Sequence, residues 1–396
     1  MGVLRVEPMD LAGPLQWALP PSKSHMIRWL VLAAQSSGTM GIRFSQEPGL
    51  DVSSMAECLE LLGTGIERKE GEWVISGVGE GGFVATDKTL DCGNSGTTAR
   101  FLMAIAAGLS ESITIDGDNS LRGRSMSVIA GVLRDLGCSV SGDMLPLTVT
   151  GPLKTGVARL DLSSSSQPLS AMLMAAPGFT IPVTLDTFGR SVSRGYQEMS
   201  FDIAESCGSQ NLFSEGEIEL RSWKVNIPEA VTIPPENSLL AIAILISELH
   251  GVRMELNGAG EATSPAIVSL SEQTAVLDLR DESDLICPAS ALMAISKGGR
   301  IIGAAHSRGK ESDRIASTVY LLRAFGMDAE ATKDGLEIHG SQSPSRPNIP
   351  IDTHRDHRLA MTAMALASRC GGVISEPEIC AISDPGFISR LIGLGD

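Results

Sequence analysis

One pattern recurs along this chain: an amphipathic helical segment ends in glycine, and strand-like segments follow it. The helical segments span residues 56–63, 128–137, 203–208 and 316–326. Glycine commonly follows the last turn of a helix, and alternation of apolar and polar residues is typical of a half-buried strand. The period, very roughly 60–80 residues, is longer than that of a solenoid repeat. The pattern therefore predicts repeated α/β subdomains rather than a linear array.

A second pattern consists of polar loops that lead directly into apolar stretches long enough for buried helices. These loops are residues 20–25, 91–98, 163–167 and 352–358. A helix N-terminus offers unpaired N–H groups and a partial positive charge, so such a loop is suited to bind an anion. A serine run alone is more often a flexible loop or a redundant cap. The recurrence favours anion binding, and cations lie at or near the junctions: Lys23, Arg28, Arg100, Arg355 and Arg358.

Charge and hydropathy exclude two classes of partner. The net charge of −16 opposes nucleic-acid binding, which needs a basic surface. The longest purely apolar run, residues 239–246, is far too short to span a bilayer. We therefore expect neither nucleic acid nor membrane as a partner. An acidic protein that binds an anionic ligand must concentrate its cations, and residues 121–124 and 308–314 are such concentrations.

Length and cysteine content indicate the domain count and the compartment. A chain of 396 residues is too long for one core, so two domains are expected. The seven cysteines are scattered and form no C-x-x-C pair, which favours reduced, cytoplasmic thiols and argues against a zinc site. Residues 1–5 lack the organisation of a signal peptide. The expected location is the cytoplasm.

Six motifs in order along the whole chain carry a family resemblance. They are Pro-Ser-Lys-Ser…Arg at 21–28, Gly-Asn-Ser-Gly-Thr at 93–97, Leu-Arg-Gly-Arg at 121–124, Ser-Ser-Gln at 165–167, Lys-Glu-Ser-Asp-Arg at 310–314 and Asp-His-Arg-Leu-Ala-Met at 356–361. Each motif is weak alone, but the ordered set with compatible spacing is specific. The chain resembles the 5-enolpyruvylshikimate-3-phosphate (EPSP) synthase family of enolpyruvyl transferases.

The resemblance implies an α/β fold of two similar domains, each built from three βαβαββ units. This arrangement is an inside-out α/β barrel with the active site in the interdomain cleft. Residues 13–228 would form the first domain, and residues 1–12 with 229–396 would form the second. The repeated α/β pattern agrees with such units.

The resemblance also implies a reaction and its ligands. The enolpyruvyl group of phosphoenolpyruvate would be transferred to the 5-hydroxyl of shikimate 3-phosphate, with release of phosphate. This is a step of the shikimate pathway, which leads to chorismate and the aromatic amino acids. The family needs no metal and no cofactor, and we expect a monomer. Two phosphorylated substrates must be held together and their charges neutralised, which the cation-rich loops suit.

Site residues follow from the matching motif positions. The family's acid–base groups correspond to Asp284, Glu311 and Lys23. The shikimate 3-phosphate contacts would be Lys23, Ser24, Arg28, Ser165, Ser166, Gln167, Ser193, Tyr196, Asp284, His306 and Lys310. The phosphoenolpyruvate contacts would be Lys23, Gly96, Arg124, Gln167, Arg314 and Arg358.

Other polar residues near these motifs have simpler explanations. Asp51 and Asp356 are expected as helix caps or loop braces, and His357 as a structural residue. Cys92 has no recognisable His partner, so packing is the expected role.

The chain departs from the family pattern at three positions. Ile382 replaces a lysine that would assist phosphoenolpyruvate binding, and Phe101 and Ser125 replace prolines that follow motif arginines.

Two alternatives stay open at this point. One is the related transferase that acts on a UDP-amino sugar, which would show Lys-Asn where this chain has Lys23-Ser24. It would also commonly carry a cysteine within residues 116–124, where this chain has none. The other is a non-catalytic phosphometabolite-binding paralogue, weakened by loss of the lysine. Retention of the acid–base residues argues against it.

Overall fold

Helices and strands alternate along the chain in a computed structural model that describes residues 2–214, 216–257, 265–272 and 274–395. The strands are β1 Val3–Val6, β2 Leu15–Ala18, β3 Thr39–Arg43, β4 Gly65–Lys69, β5 Glu72–Ser76, β6 Leu90–Asp91, β7 Ile113–Asp116, β8 Ser139–Val140, β9 Leu147–Thr150, β10 Val157–Asp161, β11 Val183–Phe188, β12 Glu217–Leu220, β13 Ala230–Thr232, β14 Met254–Asn257, β15 Val276–Asp278, β16 Gly298–Ile302, β17 Ala329–Ala331, β18 Leu336–His339 and β19 Gly372–Ser375. The α-helices are α1 Lys23–Gln35, α2 Leu50–Leu61, α3 Gly96–Ala106, α4 Asn119–Arg122, α5 Ser127–Asp135, α6 Gln167–Ala175, α7 Arg194–Ser206, α8 Leu240–His250, α9 Pro265–Ser271, α10 Ile286–Ile295, α11 Arg314–Ala324, α12 His357–Cys370 and α13 Phe387–Gly393.

The sheets repeat one plan, as the sequence pattern predicts. In the sheet ordered β6-β7-β9-β8, the first two strands are parallel and the remaining pairs are antiparallel. The sheet ordered β15-β16-β18-β17 has the same order and directions. Helices α3 and α10 connect the parallel strands of the two sheets. Each copy is therefore a βαβαββ unit.

A third copy of the plan takes its first strand from a distant part of the chain. The sheet ordered β13-β3-β5-β4 pairs β13 in parallel with β3, with Ala230 opposite Gly41. The remaining strands of that sheet follow α1 and α2 in order. A strand that comes late in sequence thus completes a unit that begins near the N-terminus, so this unit has a non-local strand pair.

The contacts divide the chain into two compact units. The central unit comprises Lys23–Phe44 and Leu50–Ile233, and the terminal unit comprises Met1–Ser22, Ser45–Gly49 and Pro234–Asp396. The domain boundaries expected from the sequence lay at residues 13 and 229. Residues 13–22 instead group with the terminal unit, because β2 pairs in parallel with β14. Residues 229–233 group with the central unit, because β13 pairs with β3.

Each unit has its own hydrophobic core. In the central unit, α3 and α6 are buried on nearly all sides, which fits their apolar sequences. In the terminal unit, α12 is buried along residues 357–368, and α10 along residues 286–294. Because these helices are enclosed by packed side chains, the residues at their N-termini have fixed positions.

Within these ranges, no helix has both the length and the apolar character that a membrane crossing requires.

Candidate active site

Buried helices begin within the predicted polar loops, one to three residues before the apolar stretches that follow those loops. Helix α1 starts at Lys23, α3 at Gly96 and α6 at Gln167. Ser95 caps α3, since its side chain accepts a hydrogen bond from the Thr98 amide. Asp356 caps α12 in the same way, with the Arg358 amide as donor. The N-terminal N–H groups of these helices therefore lie beside the motif residues, as the sequence predicts.

Hydrogen bonds join three of the central unit's motifs. The Arg124 guanidinium donates to the Asn94 side-chain oxygen at 2.6 Å and to the Asn94 carbonyl at 3.2 Å. The Arg100 guanidinium donates to Gln167 Oε1 at 2.7 Å and to the Gly96 carbonyl at 3.0 Å. We call Asn94, Gly96, Arg100, Arg124 and Gln167 the amide cluster. It brings together the three predicted residues Gly96, Arg124 and Gln167, although they are distant in sequence.

Gly96 has a local reason to lack a side chain. A Cβ atom there would lie 2.7 Å from Arg100 Nη1, 3.6 Å from Gln167 Oε1 and 3.7 Å from Arg124 Nη1. Only the contact with Arg100 Nη1 is too short, and that atom is at the end of a flexible side chain. Glycine therefore allows the polar groups of the cluster to approach the start of α3 closely.

Lys23 is held by an acidic residue on the next helix. Its Nζ lies 2.9 Å from Asp51 Oδ2, and the aspartate is buried in the first turn of α2. Thr98 Oγ1 donates to the Asp51 carbonyl at 3.5 Å, which connects α3 with α2. Asp51 thus serves as a brace, the role expected of it. It holds the ammonium group of Lys23 at the start of α1.

Arg28 is bonded within the protein. It is buried, and its guanidinium donates to Ser200 Oγ at 2.7 Å, Ser170 Oγ at 3.3 Å and the carbonyl oxygens of Ser24 at 2.8 Å and Tyr196 at 3.0 Å. Burial lowers the pKa of Arg28 to about 10, so the group is still cationic at neutral pH. Arg28 connects α1, α6 and α7, and its contact with substrate stays a prediction.

The serine-rich loop and the start of α7 lie near these residues. The Gln167 amide donates to Ser165 Oγ at 3.1 Å, and Ser166 is buried at the N-cap of α6. Ser193 precedes α7 in a left-handed conformation with φ of 53°. Such a conformation is uncommon for a residue other than glycine and is often found at functional sites.

In the terminal unit, three carboxylates surround one arginine. The Arg314 guanidinium lies 2.8 Å from Asp356, 2.6 Å from Glu311 and 2.5 Å from Asp284. Burial alone lowers the pKa of Arg314, but the three carboxylates outweigh burial and raise it well above the usual value. We call these four residues the carboxylate cluster. Asp356, expected as a brace, is the most buried member and also accepts from Ser312 Oγ at 3.0 Å.

Lys310 and His306 lie beside this cluster. Lys310 Nζ is 3.9 Å from Asp284 Oδ1. His306 is half-buried, and its Nε2 has no hydrogen-bond partner in the part of the chain that the structure describes. Burial first and the charge of Lys310 second lower the pKa of His306 to about 4. The imidazole is therefore neutral near pH 7.

Arg358 has different surroundings from Arg314. It is 1% exposed, and its Nη2 donates to Ser238 Oγ at 2.7 Å. Its Nε and Nη1 find no hydrogen-bond partner among the described residues. A buried guanidinium with two such donors is unusual, since buried polar groups are nearly always bonded. The geometry suits a carboxylate or phosphate ligand.

Sequence reasoning missed several residues that hold the site together. Arg100 was recognised as a junction cation but received no role, and Glu236 and Ser238 received none. Ser238 lies just before the apolar run of α8, after two prolines. That local signal marks a helix start, but it contains nothing about Arg358.

The C-terminal departure from the family pattern lies in a short helical turn. Ile382 is buried at the end of that turn. Asp384 is also buried, forms an ion pair with Arg390, and has a pKa raised chiefly by burial. The Arg390 guanidinium lies 5.2 Å from the centre of the Trp17 ring. Arg390 thus has an anionic and an aromatic partner within the terminal unit.

Neither metal ligands nor a reactive thiol adds to this site in the part of the chain that the structure describes. Within the described ranges, no group of three or more His, Cys, Asp or Glu side chains is arranged to hold a metal ion. Cys92 is buried, and burial above all raises its thiol pKa well above the usual value. A thiol in this state is a poor nucleophile, so packing is its role.

Sequence comparison identifies relatives over nearly the whole chain. The family model described as EPSP synthase (3-phosphoshikimate 1-carboxyvinyltransferase) matches residues 7–208 and 224–391. A 3-phosphoshikimate 1-carboxyvinyltransferase of Methanocorpusculum labreanum is 30% identical, over 95% of each chain. One from Methanothermobacter thermautotrophicus is 31% identical, over 95% of this chain and 94% of that protein.

Solved structures share the fold. An EPSP synthase from Acinetobacter baumannii has a TM-score of 0.80 at 23% identity, over 100% of this chain and 98% of that chain. The enolpyruvyl transferase NikO from Streptomyces tendae has a TM-score of 0.69 at 12% identity, over 99% of this chain and 97% of that chain. The two-domain α/β fold expected from the sequence is thereby confirmed.

Proposed function

Because the chain belongs to the EPSP synthase (3-phosphoshikimate 1-carboxyvinyltransferase) family, we propose that it transfers the enolpyruvyl group of phosphoenolpyruvate to the 5-hydroxyl of shikimate 3-phosphate. Phosphate is the second product. The observation that carries the proposal is the carboxylate cluster with its neighbouring lysine. Asp284 lies 2.5 Å from Arg314 and 3.9 Å from Lys310, and Glu311 bonds to the same guanidinium. A protein that only binds phosphometabolites needs no such acid–base set.

Phosphoenolpyruvate is assigned to four cations, of which Lys23, Arg314 and Arg358 lie at helix starts. The Nε and Nη1 atoms of Arg358 are buried donors without a hydrogen-bond acceptor among the described residues. Arg314 is the first residue of α11. In the central unit, Lys23 and Arg124 are assigned to the same substrate, with Gln167 beside them. Arginine binds carboxylate and phosphate groups through parallel hydrogen bonds, so these residues both neutralise and orient the enol.

Shikimate 3-phosphate is assigned to the serine-rich side of the central unit. Ser165, Ser166 and the start of α6 would receive its phosphate, because helix N-terminal amides bind such groups well. Its carboxylate and hydroxyls are assigned to Ser24, Arg28, Ser193 and Tyr196. In the terminal unit, Asp284, His306 and Lys310 are assigned to contacts with the ring oxygens of shikimate 3-phosphate. The neutral imidazole of His306 adds no charge there.

The proton transfers follow from these assignments. Asp284 accepts the proton of the 5-hydroxyl of shikimate 3-phosphate. The hydroxyl oxygen bonds to C2 of phosphoenolpyruvate at the same time, and C3 of phosphoenolpyruvate gains a proton. Glu311 and Lys23 are assigned to the proton at C3. Removal of a proton from C3 then restores the double bond as the bond from C2 to the phosphate oxygen breaks. The surrounding cations stabilise the charge on the departing phosphate.

A phosphate-release assay tests the proposal. Phosphate should appear only when shikimate 3-phosphate and phosphoenolpyruvate are present together. Replacement of shikimate 3-phosphate by a UDP-amino sugar should give none, because the matching relatives carry the 3-phosphoshikimate name. Release with the UDP-amino sugar alone as acceptor, or with phosphoenolpyruvate alone, would contradict the proposal. We expect activity without added metal or cofactor, and a monomeric protein, which sedimentation can test.

A further inference from the structure

The surroundings of Arg358 contain two residues to which no role has been assigned. Ser238 Oγ lies 2.7 Å from Arg358 Nη2 and 2.6 Å from Glu236 Oε1. A guanidinium can only donate hydrogen bonds, and a carboxylate can only accept them. The hydroxyl therefore accepts from Arg358 and gives its own proton to Glu236. The chain of bonds runs in one direction, from cation through hydroxyl to anion.

Glu236 itself is firmly placed. It is 7% exposed, and its backbone amide donates to the Pro20 carbonyl at 2.8 Å. The residue before it, Pro235, forms a backbone bridge with Pro21. The proline ring also fixes the backbone φ angle at residue 235. The carboxylate thus has little freedom to follow Arg358 if that side chain moves.

We propose that Glu236 and Ser238 are positioning residues for Arg358. They hold one side of the guanidinium so that Nε and Nη1 present their hydrogens to the anionic group of phosphoenolpyruvate. The inference rests on the proposed function, which it extends by assigning two residues that touch no substrate. Without the hydroxyl, the Arg358 guanidinium loses its one hydrogen-bond partner among the residues that the structure describes and adopts other rotamers, which weakens binding of the anion.

A purely local role for the same residues predicts a different result. Glu236 Oε1 also accepts from the Ser238 amide at 3.4 Å and so caps the turn Asn237–Leu239. That bond uses the backbone of residue 238 and survives loss of the hydroxyl. A cap affects stability, whereas a positioning role affects the KM for phosphoenolpyruvate. The two roles are therefore separable by experiment.

The test compares Ser238→Ala, Ser238→Thr and Glu236→Gln with the wild type in the phosphate-release assay. We expect Ser238→Ala to raise the KM for phosphoenolpyruvate about 10-fold, the effect of one lost charge-assisted hydrogen bond. The KM for shikimate 3-phosphate should change less than about twofold. Ser238→Thr keeps the hydroxyl and should restore most of the affinity. Glu236→Gln should give an intermediate KM, because the amide still accepts a hydrogen bond but has no charge.

Ser247→Ala is the matched control. Ser247 is on α8 in the same unit, and its hydroxyl donates to the Val252 carbonyl at 2.6 Å. Its loss should lower the melting temperature and leave both KM values unchanged. An unchanged KM for phosphoenolpyruvate in Ser238→Ala would overturn the inference. So would an equal rise in both KM values, or a Thr variant as impaired as the Ala variant.

Binding measurements separate this inference from the proposed function. Phosphoenolpyruvate is titrated calorimetrically into the wild type and into Ser238→Ala. A wild type that binds phosphoenolpyruvate but never releases phosphate would overturn the proposed function. Weaker binding by Ser238→Ala would then still support the positioning role, and equal binding would overturn it. A wild type that binds no phosphoenolpyruvate, with or without shikimate 3-phosphate, overturns both.

Discussion

The arginines of the two clusters are held by different kinds of partner. In the amide cluster, Arg124 and Arg100 donate to amide and carbonyl oxygens of Asn94, Gln167 and Gly96. In the carboxylate cluster, Arg314 is bonded to Asp284, Glu311 and Asp356. A neutral acceptor orients a guanidinium without cancelling its charge, whereas three carboxylates more than cancel it. The difference separates a cluster with net positive charge from one that places proton-accepting carboxylates beside its arginine.

This difference also has an energetic side. A hydrogen bond from a guanidinium to a neutral acceptor contributes about 1.5–3 kcal/mol, whereas removal of one partner of a buried ion pair costs about 3–5 kcal/mol. The carboxylate cluster is thus the more fragile of the two with respect to folding. The following predictions test the contrast, beginning with the largest expected effect.

Asp356→Asn should lower the free energy of unfolding by about 3 kcal/mol or more, because Asp356 is fully buried against Arg314. Asn94→Ala in the amide cluster should cost less, about 1.5–3 kcal/mol, because the Arg124 guanidinium loses a neutral acceptor. Urea unfolding at pH 7 measures both. The control is Asp143→Asn, whose exposed pair with Arg134 should contribute under about 1 kcal/mol. Equal losses at residues 356 and 94 would remove the energetic contrast.

Asp284→Asn should lower kcat at least about 100-fold, the usual effect of removing a positioned proton-transfer group. The amide keeps the shape of the side chain but cannot accept the proton of the 5-hydroxyl. Lys23→Ala should give a loss of similar size. Steady-state phosphate release measures both, with the exposed Asp328→Asn as the control. Full activity in either variant would disprove the role assigned to that residue.

Gly96→Ala should raise the KM for phosphoenolpyruvate about 10-fold and leave stability nearly unchanged. The new Cβ would lie 2.7 Å from Arg100 Nη1, so the guanidinium must move and its bond to Gln167 is lost. Gly131→Ala on α5 is the matched control, because a Cβ there meets no atom within 4 Å. The control should be slightly more stable, since alanine favours a helix. An unchanged KM would show that the position of Arg100 does not matter for binding.

In His306→Gln, the free energy of unfolding should fall less on acidification than it does in the wild type. The folded-state pKa of His306 is about 4, below its usual value, so the unfolded chain binds the proton more readily. The resulting contribution to stability is complete above about pH 6.5 and is lost as pH falls toward 4. Between pH 6.5 and 5, the free energy of unfolding should fall by about 1 kcal/mol less in His306→Gln than in the wild type. This value allows for partial exposure of the ring.

Urea unfolding of wild type and variant at both pH values provides this measurement. His339→Gln, at an exposed histidine of the same unit, controls for loss of an imidazole. Identical pH dependence in wild type and His306→Gln would contradict the buried, neutral state of His306.

The order of elements and the helix starts were predictable from the sequence because their signals are local. Polar capping residues followed by apolar stretches predicted buried helices near α3, α6 and α12, which begin one to three residues earlier than expected. Glycine-ended helices followed by alternating residues predicted repeated α/β subdomains, and the family resemblance specified βαβαββ units. The six motifs led to the family, and hence to most of the candidate residues. The helix and strand predictions need only the chemistry of neighbouring residues, whereas the candidate residues were implied by the resemblance.

Contacts between distant residues were decided by the tertiary structure. Arg358 and Ser238 are 120 positions apart, and Arg28 and Ser200 are 172 apart. Strand β13 joins the sheet of β3, which moved the boundary between units away from the expected residue 229. A hydroxyl or carboxylate in the sequence is compatible with many donors, and only the packing of the elements selects one of them. The partners that distinguish Arg314 from Arg358 are therefore a property of the folded chain.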